Sequence, residues 1–365
     1  MMGRIRVGGV ASWVAGALLA LGLGWNVPCT AGAWSDDLAD LDRPAPTSPD
    51  EPLAAGYSAA KGAAYLDAVS TAWTTERNCG ACHTNYNYLL ARPALGGPQS
   101  TAMQQVRGFF EDRVANWDSP DKPDAKPRWD TEVVATAAAL ACNDAATTGK
   151  LHPLTRQALD KMWTLQRPDG AWDWLKCDWP PYEHDNYYGA VYAAVGVGQA
   201  PDDYQKADSA RQGLDRLRAY LQNNPAPSLH HQAMLLWAST RVDGLMSGDQ
   251  KAVTIAALLD RQRPDGGWNL PSLGDWKRHD GSPNDPAGPS DGFGTGFVIY
   301  VLRQAGVPAT HPPIQQGIAW LKSHQRESGR WFTRSVSNDK AHYITNAGSG
   351  FAILAIRACE QPGTE

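Results

Sequence analysis

The amino-acid sequence predicts an all-α protein whose single domain, residues 57–360, is a closed ring of six helical hairpins. Three observations support this fold. A Gln…Gly-x-Trp pattern occurs three times, amphipathic helical segments alternate with segments rich in small apolar residues, and Pro or Gly separates most of these segments. Each hairpin pairs one outer helix with one inner helix.

The first 33 residues are predicted to be a signal peptide. Arg4 and Arg6 form a short basic region, an apolar run follows from Val10 to Leu23, and Ala31-Gly32-Ala33 is a small-x-small cleavage site. The apolar run is short and interrupted by glycine, which is unfavourable for a transmembrane helix. We therefore expect a periplasmic or secreted protein with no membrane span after signal cleavage. An uncleaved anchor is the alternative.

Composition limits the classes of function. Residues 34–56 are rich in Asp, Pro, Ala and Ser and are predicted to be a disordered lead-in. The net charge is −5 at pH 7 and there is no basic stripe, so nucleic acid is not an expected partner. The chain contains 15 Trp but only 6 Phe, and many of the Trp lie beside Gly and Asp. This distribution indicates a repeated structural use of Trp.

Two kinds of helix are predicted. The outer helices carry apolar residues at i, i+4 and i+7, as in Ile314, Ile318 and Leu321, so that one face is buried. The inner helices contain more Ala, Gly and small apolar residues because they pack on both sides. The predicted outer helices are 57–75, 99–116, 153–166, 205–222, 249–262 and 312–325. The predicted inner helices are 82–92, 130–142, 185–198, 228–242, 291–305 and 342–358.

The repeated pattern ends three of the outer helices. It reads Gln166-Arg-Pro-Asp-Gly-Ala-Trp172, Gln262-Arg-Pro-Asp-Gly-Gly-Trp268 and Gln325-Arg-Glu-Ser-Gly-Arg-Trp331. In every copy Gln precedes Trp by six residues, and the Gly between them permits a turn that other residues resist.

These repeats resemble the QW motifs of the squalene–hopene cyclase family, whose wider superfamily includes the β-subunits of protein prenyltransferases. The resemblance covers most of the chain after the signal peptide, and it implies an (α/α)6 toroid of the terpenoid cyclase type. It also implies that each Gln caps a helix end, that each Trp stacks nearby, and that the central cavity holds an apolar small molecule or lipid.

The resemblance does not extend to the known active sites. The cyclases protonate their substrate with an Asp-x-Asp-Asp motif, which this sequence lacks, and they use two toroidal domains where this chain supplies one. Prenyltransferase β-subunits bind zinc through an Asp-x-Cys pair and a later His. Asp291 and His342 stand in comparable places, but Phe293 replaces the Cys. Catalytic zinc needs three protein ligands, so zinc is not expected.

A second motif, Cys79-Gly-Ala-Cys82-His83, predicts covalent attachment of a c-type haem in the first hairpin. Two thiols this close together can each bond a haem vinyl group, and the adjacent His83 becomes an axial ligand of the iron. The alternatives are a Cys79–Cys82 disulfide and a metal clip. His342 is the predicted second axial ligand, followed by His184, and an open or water-bound site is a third option.

The predicted topology places the haem beside other polar residues. Outer and inner helices alternate in direction, so every outer-to-inner loop lies at the same end of the ring, which we call the mouth. Glu183, His184, Asp185 and Asp291 lie there and are the candidate catalytic residues, because paired carboxylates can act as acid and base. N-capping of helices is the alternative role for Asp185 and Asp291.

Three functions remain open on this reading. The first is an exported toroid protein with haem c at the mouth of an aromatic-lined cavity, acting in redox chemistry or on an isoprenoid or other lipid. The second is a binding module for lipid, glycan or peptide with Cys79 and Cys82 in a disulfide. The third is an electron-transfer cytochrome that works with a redox partner protein.

Overall fold

The prediction of an all-α ring is confirmed. A computed structural model describes residues 45–96 and 99–360, so the predicted signal peptide, residues 1–33, lies outside the described residues. This part of the chain contains isolated β-bridges but no β-strand. Its outer helices are α1 (Ala59–Arg77), α3 (Thr101–Asn116), α5 (Pro153–Thr164), α7 (Asp208–Asn223), α9 (Gly248–Asp260) and α11 (Pro312–Ser323). Its inner helices are α2 (Asn85–Ala91), α4 (Asp130–Thr147), α6 (Asn186–Gln199), α8 (Leu229–Ala238), α10 (Gly292–Gln304) and α12 (Ile344–Glu360).

The inner helices form a closed ring. They contact one another in the cyclic order α2, α4, α6, α8, α10 and α12, and α12 returns to α2. The outer helices pack against this ring, for example α5 on α4 and α9 on α8. The domain is therefore an (α/α)6 toroid.

Small residues on the inner helices permit this close packing. A Cβ atom on Gly296 of α10 would lie 2.4 Å from the backbone nitrogen of Ala352 in α12. No side chain fits at that distance, so the two helices meet backbone to backbone. The inner helices are correspondingly buried on nearly every face; α4 and α10 each have buried residues along almost their whole length.

The three QW motifs have the same geometry. The indole nitrogens of Trp172, Trp268 and Trp331 each donate to a carbonyl near the end of the preceding outer helix, at 2.9, 2.7 and 2.7 Å. All three indoles are fully buried. Each motif therefore fixes the turn that follows its own outer helix.

The glutamine of each motif reaches the next outer helix in the ring. Gln166 Nε2 donates to the carbonyl of Gly213 in α7 at 3.0 Å, and Gln262 Nε2 donates to that of Pro313 in α11 at 2.8 Å. Gln325 Nε2 donates to the carbonyl of Ser58, the N-cap residue of α1, at 3.0 Å, and its Oε1 accepts from the Ser58 amide at 2.7 Å. The third motif thus joins the last hairpin to the first and closes the ring.

Part of the predicted lead-in contacts the last hairpin of the ring. Residues 34–44 lie outside the described part, but residues 45–54 bind the third QW motif. The Ala54 amide donates to the Gln325 carbonyl at 2.8 Å, and the Glu327 amide donates to the Pro52 carbonyl at 3.0 Å. Composition predicts disorder for this segment, but it takes no account of the distant loop at residues 325–330. Backbone and charged groups of that loop bind residues 45–54. We call residues 45–54 the strap.

Candidate functional site at the mouth

The structure brings the outer-to-inner loops together, as the topology predicted. The Tyr343 ring stacks on the His83 ring with centroids 5.3 Å apart, and it lies 6.3 Å from the Trp179 ring. Trp179 in turn contacts His279, whose Nε2 is 2.9 Å from the Asp178 carbonyl oxygen. Loops of the first, third, fifth and sixth hairpins therefore meet over one end of the ring.

Asn85 holds the Cys79–His83 loop in place. Its buried side chain accepts a hydrogen bond from the Ala81 amide at 2.7 Å. It also donates to the Cys79 carbonyl at 3.0 Å and to Thr74 Oγ1 at 3.1 Å. These three hydrogen bonds join the loop to Asn85, the first residue of α2. They involve neither a cysteine side chain nor any atom of His83.

The two thiols of the motif are free and face different environments. Cys79 is exposed, whereas Cys82 is 4% exposed and lines the central cavity. Burial raises the pKa of both thiols, and the Glu183 carboxylate raises both further. Both cysteines therefore lie within electrostatic range of Glu183, and both thiols stay protonated at neutral pH.

His83 is enclosed by aromatic rings. Its ring meets the edge of Trp73 at 4.8 Å, in addition to the Tyr343 stack, and Nδ1 lies 2.7 Å from Thr84 Oγ1. Thr84 Oγ1 also accepts from Asn346 Nδ2 at 3.0 Å. Burial lowers the pKa of His83 to about 3, so the imidazole is neutral. When Nδ1 donates to Thr84, Nε2 presents a lone pair, and no residue in the described ranges hydrogen-bonds Nε2.

Glu183 is the most strongly perturbed carboxyl group of the four predicted catalytic residues. Burial raises its pKa to about 7. Its carboxylate receives no hydrogen bond from the residues that the structure describes, although its backbone amide donates to the Trp179 carbonyl at 3.1 Å. A carboxyl group that titrates near neutral pH and lacks a structural partner is a candidate acid or base.

The raised pKa of Glu183 predicts a pH-dependent stability difference. A Glu183→Gln variant should gain stability relative to the natural protein as pH rises from 5 to 8, by on the order of 1–3 kcal/mol. The folded state binds the proton more tightly than the unfolded state, so ionisation above pH 5 costs the natural protein stability and costs the variant nothing. Urea unfolding at several pH values measures this difference, and a constant difference across the range would contradict the pKa shift.

His184 and Asp185 follow Glu183 but point to different partners. His184 is exposed, with Nδ1 3.9 Å from Asp178 Oδ1. Asp185 Oδ1 caps α6 by accepting from the Tyr188 amide at 2.8 Å, and Oδ2 lies 3.0 Å from Nε2 of the buried His231. Burial alone would raise the pKa of Asp185, but the His231 hydrogen bond and charge hold it below its usual value. The contacts of Asp185 are those of a cap that joins α6 to α8.

Asp291 also acts as a helix cap. Its carboxylate accepts hydrogen bonds from the Gly294 amide at 2.7 Å, from the Leu270 amide at 2.7 Å and from Thr333 Oγ1 at 3.2 Å. Burial raises its pKa to about 6 although these hydrogen bonds oppose the shift. The Gly294 contact is the predicted N-cap of α10, and the Leu270 and Thr333 contacts join this cap to two other loops.

His342 hydrogen-bonds and packs within the loop of its own hairpin. Its Nδ1 accepts a hydrogen bond from the Ser335 amide at 3.1 Å, and its ring meets the edge of Phe332 at 5.3 Å. An acceptor Nδ1 leaves the proton of a neutral imidazole on Nε2. This hydrogen bond therefore argues against His342 as the second axial ligand. Within the described ranges, no three His, Cys, Asp or Glu side chains are grouped to hold a metal ion.

A narrow central cavity begins directly beneath the mouth. It is lined by Cys82, Asn87, Leu90, Tyr182, Tyr188, Tyr192, His230, Met234, Trp237, Phe297 and Phe351. The volume open to the centre of a water molecule is about 10 Å³, which is room for roughly one water. This cavity is too small for a lipid or isoprenoid chain without movement of its walls.

His230 is not among the residues that the sequence singled out for function. The structure places it inside the cavity, 1% exposed, with its ring stacked on Phe297 at 4.6 Å. The His230–His231 pair was the available signal. Only the helix register shows that the first histidine faces the cavity and the second faces Asp185.

Comparisons with known proteins found two similarities. No protein-family model matches the chain. It is 26% identical over 331 residues to the squalene–hopene cyclase of Zymomonas mobilis subsp. mobilis, a match that covers 76% of this chain and 48% of that protein. The chain thus spans about half the length of the curated relative it matches. A solved structure titled "Glycosidase Wild Type" is 11% identical, with a TM-score of 0.48, and covers 82% of this chain and 96% of its own.

The class of protein that these findings define is a cyclase-like α/α toroid. The similarity to the cyclase agrees with the closed ring of inner helices and with the three QW turns. Within the described residues, no helix combines the length and the apolar character that crossing a bilayer requires.

Proposed function

We propose that this protein is an exported haem c protein built on a cyclase-like toroid. Cys79 and Cys82 would hold the haem covalently, and His83 would bind its iron. The observation that carries the proposal is that two free thiols and an imidazole with an unbonded Nε2 lie together in a loop that Asn85 supports without them.

The donor set fits a c-type haem. Two residues separate the cysteines, and neither thiol is used in a disulfide. A metal ligand must be a neutral imidazole, which the low pKa of His83 ensures, and a ligand histidine usually donates its other nitrogen to an oxygen, here Thr84 Oγ1. A haem bound there supplies one-electron redox chemistry. Trp73 and Tyr343 orient the His83 ring.

The location and partners follow from this chemistry. The basic and apolar start of the chain supports export to the periplasm or secretion, where disulfides and other covalent cysteine chemistry persist. The expected partner is a redox protein that docks at the mouth, next to Trp179 and Tyr343. The proposal places neither the haem nor a lipid in the central cavity, because that cavity accepts about one water molecule.

One observation favours a second candidate function, acid catalysis on an apolar substrate at the mouth. Glu183 has a pKa of about 7, so about half of its carboxyl groups are protonated at neutral pH and can donate a proton. The distant similarity to a cyclase supports the fold for this alternative but not the substrate. Asp185 and Asp291 contribute less, because their oxygens cap helices.

Covalent haem content tests the first proposal. The natural chain should be expressed with the cytochrome c maturation machinery, beside a Cys79→Ala/Cys82→Ala variant and a Cys142→Ala control from the buried face of α4. We expect about one covalent haem per chain in the natural protein and the control, and none in the double variant, because only two thioether bonds hold the group. Pyridine haemochrome spectra of denatured protein report this content.

The same experiment separates the two candidates. Equal absence of haem from the natural protein and the double variant would contradict the haem proposal and leave acid catalysis. In that case Glu183→Gln should abolish any turnover of an apolar substrate, and the two cysteine variants should not.

A further inference from the structure

Four residues that line the central cavity carry buried polar atoms without a partner. Asn87 Oδ1, Tyr182 OH, Trp237 Nε1 and both ring nitrogens of His230 have no hydrogen-bond partner in the described part of the chain. All four residues line the cavity. They come from two inner helices, α2 and α8, and one mouth loop, so no single local distortion accounts for them.

These groups are deeply buried. Asn87, Tyr182, His230 and Trp237 are 5%, 6%, 1% and 1% exposed. Leaving one buried donor or acceptor unsatisfied costs about 1–3 kcal/mol, and native proteins pair nearly all such groups. Four residues that converge on one space therefore point to an occupant that hydrogen-bonds with them.

The polar groups that line the cavity determine which kind of molecule can bind there. The Trp237 indole can only donate, Asn87 Oδ1 can only accept, and the Tyr182 hydroxyl can do both. Burial, together with the charge of His231, lowers the pKa of His230 well below its usual value, so the imidazole is neutral and offers one donor and one acceptor. No carboxylate, Lys or Arg lines the cavity. A matching ligand is uncharged and carries both a donor and an acceptor.

The volume of the cavity limits the size of the ligand. About 10 Å³ is open to the centre of a water molecule, so the ligand has one or two non-hydrogen atoms. The rest of the wall is apolar, including Leu90, Met234 and Phe297, which disfavours a charged or larger polar molecule.

We propose that the centre of the toroid is a binding site for a small uncharged hydrogen-bonding molecule, with water as its simplest occupant and methanol-sized molecules as competitors. His230 and Trp237 supply the hydrogen bonds that select it. The family resemblance implied an apolar ligand in the cavity, whereas this proposal places a small hydrogen-bonding molecule there. It goes beyond the proposed haem function and does not depend on it, although Cys82 places the site directly beneath the mouth.

Nuclear magnetic resonance on the full chain tests the site, with the Trp237 indole signal assigned from a Trp237→Phe variant. We expect a cross-relaxation peak between this indole proton and long-lived water. Methanol added as the probe should shift the indole signal to saturation. A His230→Leu variant should weaken methanol binding by about tenfold, the effect of losing one hydrogen bond to a buried partner. His230→Gln, which keeps a donor and an acceptor, should retain most of the binding.

A control and an opposite outcome make the test decisive. His184→Leu changes an exposed histidine at the mouth and should leave methanol binding unchanged. The proposal is overturned if the indole shows no water contact and xenon enters the cavity of the natural protein, since a dry apolar cavity binds xenon. Equal methanol shifts in the natural protein and His230→Leu would also overturn it. Because covalent haem content plays no part in these readouts, failure here leaves the haem proposal standing.

Discussion

On the proposal that Cys79 and Cys82 hold a haem, replacement of His83 by Ala is expected to remove the side chain that would bind the iron and to leave that position open to exchangeable ligands. The protein should lose most of its covalent haem during maturation, because the motif then lacks its axial group. The fraction that retains haem should have an altered Soret band and should bind added imidazole, which restores the natural spectrum by occupying the space of the missing ring. Optical spectra recorded during an imidazole titration measure both effects.

Two neighbouring histidines are matched controls for this variant. His184→Ala removes an exposed ring at the same mouth, and His342→Ala removes a ring whose Nδ1 accepts from Ser335. Neither should change haem content or the response to imidazole. An unchanged spectrum in His83→Ala would show that the iron, if present, has another proximal ligand. A changed spectrum in His342→Ala would restore that residue as the second axial ligand.

Replacement of Arg330 by Ala should destabilise the domain by about 3–5 kcal/mol, because it leaves a buried charge without its partner. Arg330 is 2% exposed, and its Nε lies 2.7 Å from Glu51 Oε2 in the strap. Its other nitrogens donate to Thr47 Oγ1 at 3.0 Å and to the Ala45 carbonyl at 2.7 Å. The guanidinium also lies over the Tyr65 ring of α1 at 5.3 Å. One side chain therefore joins the strap, the third QW motif and the first helix.

Urea unfolding measures this loss, and an exposed ion pair in the same loop region is the control. Arg334 binds Asp339 with two hydrogen bonds, but the two side chains are 58% and 51% exposed. Arg334→Ala should therefore cost less than about 1 kcal/mol. A double-mutant cycle with Glu51→Ala separates the ion pair from the packing of the Arg330 stem. Equal small losses for Arg330→Ala and Arg334→Ala would show that the strap does not help to close the ring.

The sequence alone determined the architecture. The Gln-to-Trp spacing, the alternation of outer and inner helices and the glycine-rich inner segments predicted all twelve α-helices, with boundaries within a few residues of those observed. These features are local: helical periodicity, turn glycines and small-residue faces act within about ten residues of each other. The inner helix α2 is shorter than predicted because Cys82–Thr84 form a turn in front of it.

Part of the candidate site could also be predicted from local sequence features. The Cys79–His83 motif and Glu183 were identified as residue types and placed at one mouth by the alternation of helix directions. The capping roles of Asp185 and Asp291 were also visible, since Asp is favoured just before a helix. The sequence alone could not show whether each carboxylate caps a helix or acts in catalysis. The answer depends on which amides and hydroxyls surround the carboxylate in the folded protein.

Only the tertiary structure decided the chemistry of the individual groups. The pKa of Glu183 rises because loops distant in sequence bury it, and the strap is ordered because Arg330, nearly 280 residues later, binds Glu51. His230 faces the cavity without a partner among the described residues because side chains of five inner helices line that space. The burial of a side chain and the charges around it depend on how the whole ring packs. Residue periodicity determines which helices form, and the packing of those helices determines what their polar side chains can do.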